Sequence, residues 1–158
     1  VVCDTHNHLA NVLRIVELFA RAGDERVVHT GDVTQAKTIA AFGGLPVPMV
    51  GVYGNNDVDE RPALDEAVAA HGFEFRDPPW SFTWADRRLC VVHDPLEFRG
   101  VDETAHDVLL HGHTHRLRLE RRDGRLLFNP GECAGHVPGL NAVGVVDLAT
   151  HDVSLLHF

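Results

Sequence analysis

No apolar run in this chain approaches the roughly 18 residues needed to cross a bilayer, which excludes a membrane-spanning helix. Cysteine is scarce: Cys3, Cys90 and Cys133 are odd in number and widely spaced. That excludes a disulfide framework and fits buried thiols in a reducing cytoplasm. Basic residues are short as well, 14 Lys and Arg against 23 Asp and Glu, for a net charge of -9. Such a surface repels a phosphate backbone, so a nucleic-acid groove is not expected. A small phosphate ester is still admissible, because local cations override a global field. No signal peptide is visible. The chain opens at Val1 rather than Met, and its short first strand looks trimmed, so a leader ahead of it stays open. Repeats, linkers and low-complexity tracts are absent.

What is there is a chain of 158 residues with 44% hydrophobic content, enough for a real core, read as a single domain over 1–158. Val1-Val2-Cys3 ends a buried strand. Val12, Ile15, Val16 and Phe19 recur at helical spacing, with Gly23 as the stop. Arg26 to His29 is a second strand, and Asp4 and Asp32 are separated by about the length of a βαβ unit. A short helix over Gln35 to Phe42, a strand over Pro48 to Tyr53 and a helix opening at Arg61-Pro62 follow. The second half is mostly strand. Trp80 to Trp84 and Arg88 to Val92 form a hairpin. Val108 to Leu110 is a short apolar strand. Leu117 to Glu120 and Leu126 to Phe128 flank the Asp123-Gly124 turn, and the tail is a last hairpin. The economical architecture is one α/β domain with two stacked sheets and helices outside.

Twelve histidines is a high number, and their placement matters more. Asp4-Thr5-His6, Gly31-Asp32, Gly54-Asn55, Val92-His93 and Gly112-His113-Thr114-His115 each close a strand-like run with metal-type ligands. Ligands in α/β sheets gather at the carboxyl ends of strands. Asp4 and His6 are two apart, as are His113 and His115, so an extended backbone points each pair one way. Carboxylate, amide oxygen and imidazole without thiolate suit Mn, Fe, Ni, Co or Zn better than Ca or Mg. Asp32, mid-series, is the expected bridge between two divalent cations. A cation pair about 3.5–4 Å apart lowers the pKa of a shared water, whose hydroxide attacks phosphorus in line.

On these stretches, together with His93 and Asn129-Pro130-Gly131, the chain resembles the calcineurin-like metallophosphoesterases, in particular their small single-domain bacterial and archaeal phosphodiesterases. The resemblance implies a four-layer α/β/β/α sandwich of two mixed sheets flanked by helices. It implies one metal on Asp4, His6, Asp32 and His115, another on Asp32, Asn55, His93 and His113, Mn as the favoured cofactor, and a small phosphate-ester substrate. Departures from the family pattern stand at Asn7 for Gly, at Asp94 after His93, and at Glu132 for Ser. Asn56 replaces a histidine that serves larger relatives as leaving-group acid, and an amide is no acid.

Around this set Asp57 either orients a ligand histidine or acts as a turn and cap residue. His8 and His136 are candidate pocket residues, His29 a buried hydrogen-bonded histidine, and His111 either a ligand's support or strand interior. His106 is expected at the surface or on a sheet. Trp80, Phe82 and Trp84 share one strand face, expected as sheet packing or as the contact of a homo-oligomer. Two other functions fit the same residues: a non-catalytic metal-binding scaffold of this fold, as in a retromer subunit with a degraded site, and a nuclease. All seven ligands being present favours catalysis over the scaffold, and the acidic balance disfavours the nuclease.

Overall fold

Short strands that are apolar at successive positions can only be satisfied by burial on both faces, and both sheets here are covered on each side. In the computed structural model, which describes residues 1–158, the first sheet has a parallel part made of β1 (Val27–His29), β2 (Met49–Val52) and β3 (Glu74–Arg76). Val1 and Val2 connect it to the antiparallel hairpin of β9 (Ala142–Val146) and β10 (Val153–His157). The Val2 N–H donates to Val28 O at 2.9 Å, and the Gly144 N–H to Val1 O at 3.0 Å. The second sheet contains β4 (Trp80–Trp84), β5 (Arg87–Val91), β6 (Val108–Leu110), β7 (Arg118–Arg122) and β8 (Arg125–Asn129), in the order β4-β5-β6-β8-β7. Its three middle strands are parallel and its two edge strands antiparallel to them.

Helices α1 (Leu9–Ala22), α2 (Ala36–Phe42) and α3 (Arg61–Ala70) cover the outer face of the first sheet. Ile15 and Phe19 of α1, Ile39 and Phe42 of α2, and Leu64 of α3 are buried in one cluster with Val27 and Met49. Each such side chain contributes about 1.5–3 kcal/mol by leaving water. His8 caps α1 by accepting the Asn11 N–H on Nδ1, and Gly23 ends it at φ 73°. Strand alternation then sends Val28, Val50 and Val52 the other way, against Leu89, Val91, Leu110 and Phe128 of the second sheet. The far side of that sheet, Cys90, Val92 and Leu109, is closed by Phe98.

The order helix, sheet, sheet, cover agrees with the sandwich implied by the resemblance. The cover over the second sheet is thin: two 3-10 turns, Pro95–Gly100 and Glu103–Ala105, take the place of α-helices. They have no apolar period to mark them in the sequence. Trp80, Phe82 and Trp84 face the core between the sheets, and Arg26 lies 3.4 Å over the Trp84 ring. Their face packs partly against this core, as expected for sheet packing. His106, expected at the surface or on a sheet, is buried instead and lies 2.8 Å from Ser81 Oγ. No helix is long and apolar enough to cross a membrane.

Candidate metal centre

Parallel strands end at one edge, and every candidate ligand leaves such an end. Asp4 follows the Val1-Val2 segment, Asp32 follows β1, Asn55 follows β2, His93 follows β5, and His113 and His115 follow β6. The expected extended backbone is not how they are presented. Asp4, His6, Asp32, His113 and His115 have φ of 46°, 40°, 58°, 66° and 51°, in the left-handed region. Each strand has already ended, and a tight turn lifts each side chain over the sheet edge. Such conformations cost on the order of 1 kcal/mol or more each for non-glycine residues and persist where the surrounding fold imposes them. Asn7 joins them at φ 59°, as its replacement of Gly requires. Two glycines are needed for close approach. A Cβ on Gly31 would meet His93 Nδ1 at 2.6 Å, and one on Gly54 would overlap the Asp32 carboxylate.

The seven residues meet in two groups that share one oxygen. Asp4, His6 and His115 offer ligand atoms within 4.8 Å of one another, with His6 Nε2 and His115 Nε2 3.2 Å apart. Asp32, His93 and His113 form the second set within the same limit. There His93 Nε2 is 3.0 Å from Asn55 Oδ1 and 3.2 Å from His113 Nδ1. Asp32 Oδ2 stands 3.5 Å from His6 Nε2 and 3.4 Å from His93 Nε2, so a single carboxylate oxygen faces both groups.

Hydrogen bonds fix which ring nitrogens face inward. His93 Nδ1 donates to Thr30 O at 2.9 Å, leaving Nε2 for the site. His115 Nδ1 lies 2.8 Å from Glu132 Oε2, which likewise leaves Nε2. Both oxygens of Asp4 accept the His113 N–H, at 3.0 and 2.9 Å, tying the first strand end to the loop after β6. Asn129 braces that loop, donating to Gly112 O at 3.0 Å.

Electrostatics points the same way. Burial opposes ionisation of Asp32, but its hydrogen bond and charge contact with His93, and the N–H groups of Asn56, hold its carboxyl well below the usual range. Burial disfavours a charged His93, yet Asp32 more than offsets this and moves the imidazole up to about 9. Burial pushes Asp4 up and His6 down. Imidazole nitrogens facing one another at 3.2 Å around a carboxylate either share a proton or turn their lone pairs together toward a cation. Nitrogen and oxygen donors in this arrangement fit divalent metal ions.

Asn56 holds Asp32 twice, by its N–H to Oδ1 at 2.9 Å and its side-chain amide to Oδ2 at 2.7 Å. Asp57 touches no histidine. Its carboxylate accepts the backbone N–H groups of Asp32 (3.0 Å), Thr34 (2.7 Å) and Gly54 (2.7 Å), clipping the loops after β1 and β2 together. Of the two expected roles, support of a ligand histidine is not the one its contacts make: it caps the turn and supports backbone, because the strand ends stand closer to it than any ring. His29 is buried as expected, accepting the Gly31 N–H on Nδ1 and meeting Thr5 Oγ1 at 3.2 Å through Nε2. His111 is buried strand-end packing, its Nδ1 3.0 Å from Gly112 O. His136 stacks on His115, ring centroids 5.1 Å apart, and so borders the centre. Glu132, visible in the sequence only as a departure from a family pattern, is the largest omission. Cys3 and Cys133, far apart in the chain, have Sγ atoms 3.9 Å apart, and their thiols donate to Gly131 O and Ala142 O respectively. Two cavities flank this architecture. One of about 400 Å³ opens beside Asn55, His93 and His113, with Tyr53, Arg61 and Asp94 on its wall. A larger one of about 470 Å³ lies away from the centre, near the start of β1 and β6, and is mostly apolar.

Fold and donor set together define a metal-dependent phosphoric ester hydrolase. The chain belongs to the calcineurin-like phosphoesterases: the family model for the calcineurin-like phosphoesterase superfamily domain matches residues 1–151. Phosphodiesterase MJ0936 of Methanocaldococcus jannaschii is 33% identical over 152 residues, covering 93% of this chain and 90% of that protein. Phosphodiesterase YfcE of Escherichia coli K12 is 27% identical over 147 residues, covering 81% of this chain and 74% of its own length. A solved structure described as a novel archaeal phosphodiesterase superposes with a TM-score of 0.89 at 30% identity, over 99% of this chain and 98% of the other.

Proposed function

We propose that residues 1–158 form one dimetal phosphodiesterase domain acting on small phosphate esters. Asp4, His6, Asp32 and His115 hold one cation, and Asp32, Asn55, His93 and His113 hold the other. The observation that carries this reading is the shared position of Asp32 Oδ2, 3.5 and 3.4 Å from a histidine nitrogen of each group. When bound, such a pair supplies an activated water and takes up charge on the phosphoryl oxygens. Thr30 and Glu132 aim the imidazoles, Asn56 and Asp57 hold Asp32 and its loop, and the 400 Å³ cavity receives one arm of the ester. Mn is favoured among Mn, Fe, Ni, Co and Zn. The three cysteines are free and buried, in keeping with a cytoplasmic protein.

Two measurements on the purified protein test the reading: its metal content, and hydrolysis of a bis-aryl phosphate with added Mn. Two equivalents of metal with turnover that rises toward alkaline pH are expected. Metal without turnover would favour a scaffold, and turnover confined to polynucleotide would favour a nuclease.

A further inference from the structure

Four imidazoles belong to the centre, and the outward nitrogen of only one of them is bonded to a buried carboxylate. His115 Nδ1 is 2.8 Å from Glu132 Oε2. The corresponding bond of His93 goes to a neutral carbonyl, Thr30 O, and His113 Nε2 stands 3.8 Å from Asp94 Oδ2, beyond hydrogen-bond length. Glu132 is only 2% exposed. Its second oxygen accepts the His136 backbone N–H at 3.2 Å, and its own carbonyl accepts the Ala142 N–H at 2.9 Å, so the loop holds the side chain and the start of β9 holds its backbone. A buried carboxylate is costly unless a partner offsets its desolvation. The ionisable side chain it bonds here is His115.

We infer that Glu132 is a positioning residue that locks His115 with Nδ1 protonated and Nε2 turned toward His6, and thereby strengthens the cation position formed by Asp4, His6, Asp32 and His115. The inference rests on the dimetal reading of the centre and adds a residue to it. The backbone of His115, in a left-handed turn at φ 51°, does not by itself set the ring's rotation, and the ring packs against those of His6 and His136. Rotation of that ring would carry Nε2 away from His6 Nε2, now 3.2 Å distant. A carboxylate accepting the outward N–H prevents this, and its charge makes the inward nitrogen a better donor. Partners of this type typically change metal affinity by 10–100-fold.

The test is calorimetric titration of the metal-stripped protein with Zn alone, comparing the wild type with Glu132→Gln. Glutamine keeps the volume and an acceptor but removes the charge. One of the two binding equivalents should weaken by about 10–100-fold and the other should not move. In a His115→Ala background the same substitution should add no further loss. Unchanged affinity for both equivalents in Glu132→Gln, or an equal loss with His115 absent, overturns the inference. Should the glutamine variant not fold, the metal-stripped wild type still decides: long-range proton–nitrogen NMR should show His115 protonated on Nδ1, and protonation on Nε2 alone overturns the inference. Neither readout depends on turnover. A wild type that shows the Nδ1 tautomer and cleaves no phosphate ester would refute the phosphodiesterase and uphold Glu132.

Discussion

Replacing Asp57 should destabilise the protein and loosen the centre together, because its carboxylate accepts three backbone N–H groups from two ligand-bearing loops. The three bonds are 2.7, 2.7 and 3.0 Å long; those from Asp32 and Gly54 are buried and that from Thr34 is part-buried. Asparagine has the same shape but only one acceptor oxygen. If that oxygen takes the position shared by Asp32 and Gly54, the Thr34 N–H faces an amide NH2 and is left without a partner. An unsatisfied buried donor costs about 1–3 kcal/mol. Two terms reduce the loss. Burial pushes the Asp57 carboxyl up, so its charge is not free of penalty, and three N–H donors offset only part of that. Thr34, a β-branched residue at φ 72°, also relaxes once released. The net expectation is about 1–2 kcal/mol for Asp57→Asn. For Asp57→Ala, with all three donors orphaned, it is about 3–5 kcal/mol. For a chain of this length each kcal/mol moves Tm by about 2–4 °C, so the asparagine variant should melt about 2–8 °C lower. It should still fold, since domains have roughly 5–15 kcal/mol in hand. Urea and thermal unfolding of the metal-stripped proteins measure this, and Zn titration of the same samples should show weakened binding that involves Asp32 and Asn55. An Asp57→Asn protein that melts within 2 °C of the wild type and binds Zn unchanged would refute the reasoning, because the clip would then hold nothing.

Asp32→Ala removes the oxygen that faces both groups; phosphodiesterase activity should vanish, and full activity in a steady-state assay would rule out the bridge. The resemblance implies that Asn56 replaces a leaving-group acid, and an amide supplies none. An aryl phosphodiester should therefore be cleaved far faster than an alkyl one in matched kcat/KM measurements, and comparable rates would contradict this. His29 makes stability depend on pH. Burial holds its imidazole down at about 3 against an ordinary 6.5. Between those values the unfolded chain binds a proton that the folded one refuses. Its contribution is therefore complete above pH 6.5 and is lost as pH falls through the window, on the order of 4 kcal/mol at the foot. Urea unfolding of the metal-stripped His29→Asn variant, which keeps an acceptor for the Gly31 N–H, should show a flatter pH dependence than the wild type; parallel curves would discount His29.

Punctuation along the chain made much of the fold legible. Gly23 marks a helix end, Asp123-Gly124 marks a hairpin, and Pro62 opens a helix, all by local backbone preference that needs no distant partner. The seven candidate ligands were legible for a related reason: each is a polar residue directly after an apolar strand, and parallel strands must end at one edge. The 3-10 cover at Pro95–Gly100 was not, because irregular turns carry no periodic signal. Asp57 was left between supporting a histidine and capping a turn; its bonds fit the second and extend to the neighbouring loop, since sequence spacing says nothing of the space between two loops.

The sequence by itself determined which side chains could bind metal, in what order, and at the ends of which strands. Tertiary structure alone decided that five of them stand in left-handed turns, that Asp32 Oδ2 faces both groups, and that Glu132 reaches His115. The division has a physical cause. Strand, turn and cap preferences act over a few neighbouring residues, whereas hydrogen-bond partners and the tautomers they impose are set by ångström-scale contacts between segments that only the packed sheets bring together.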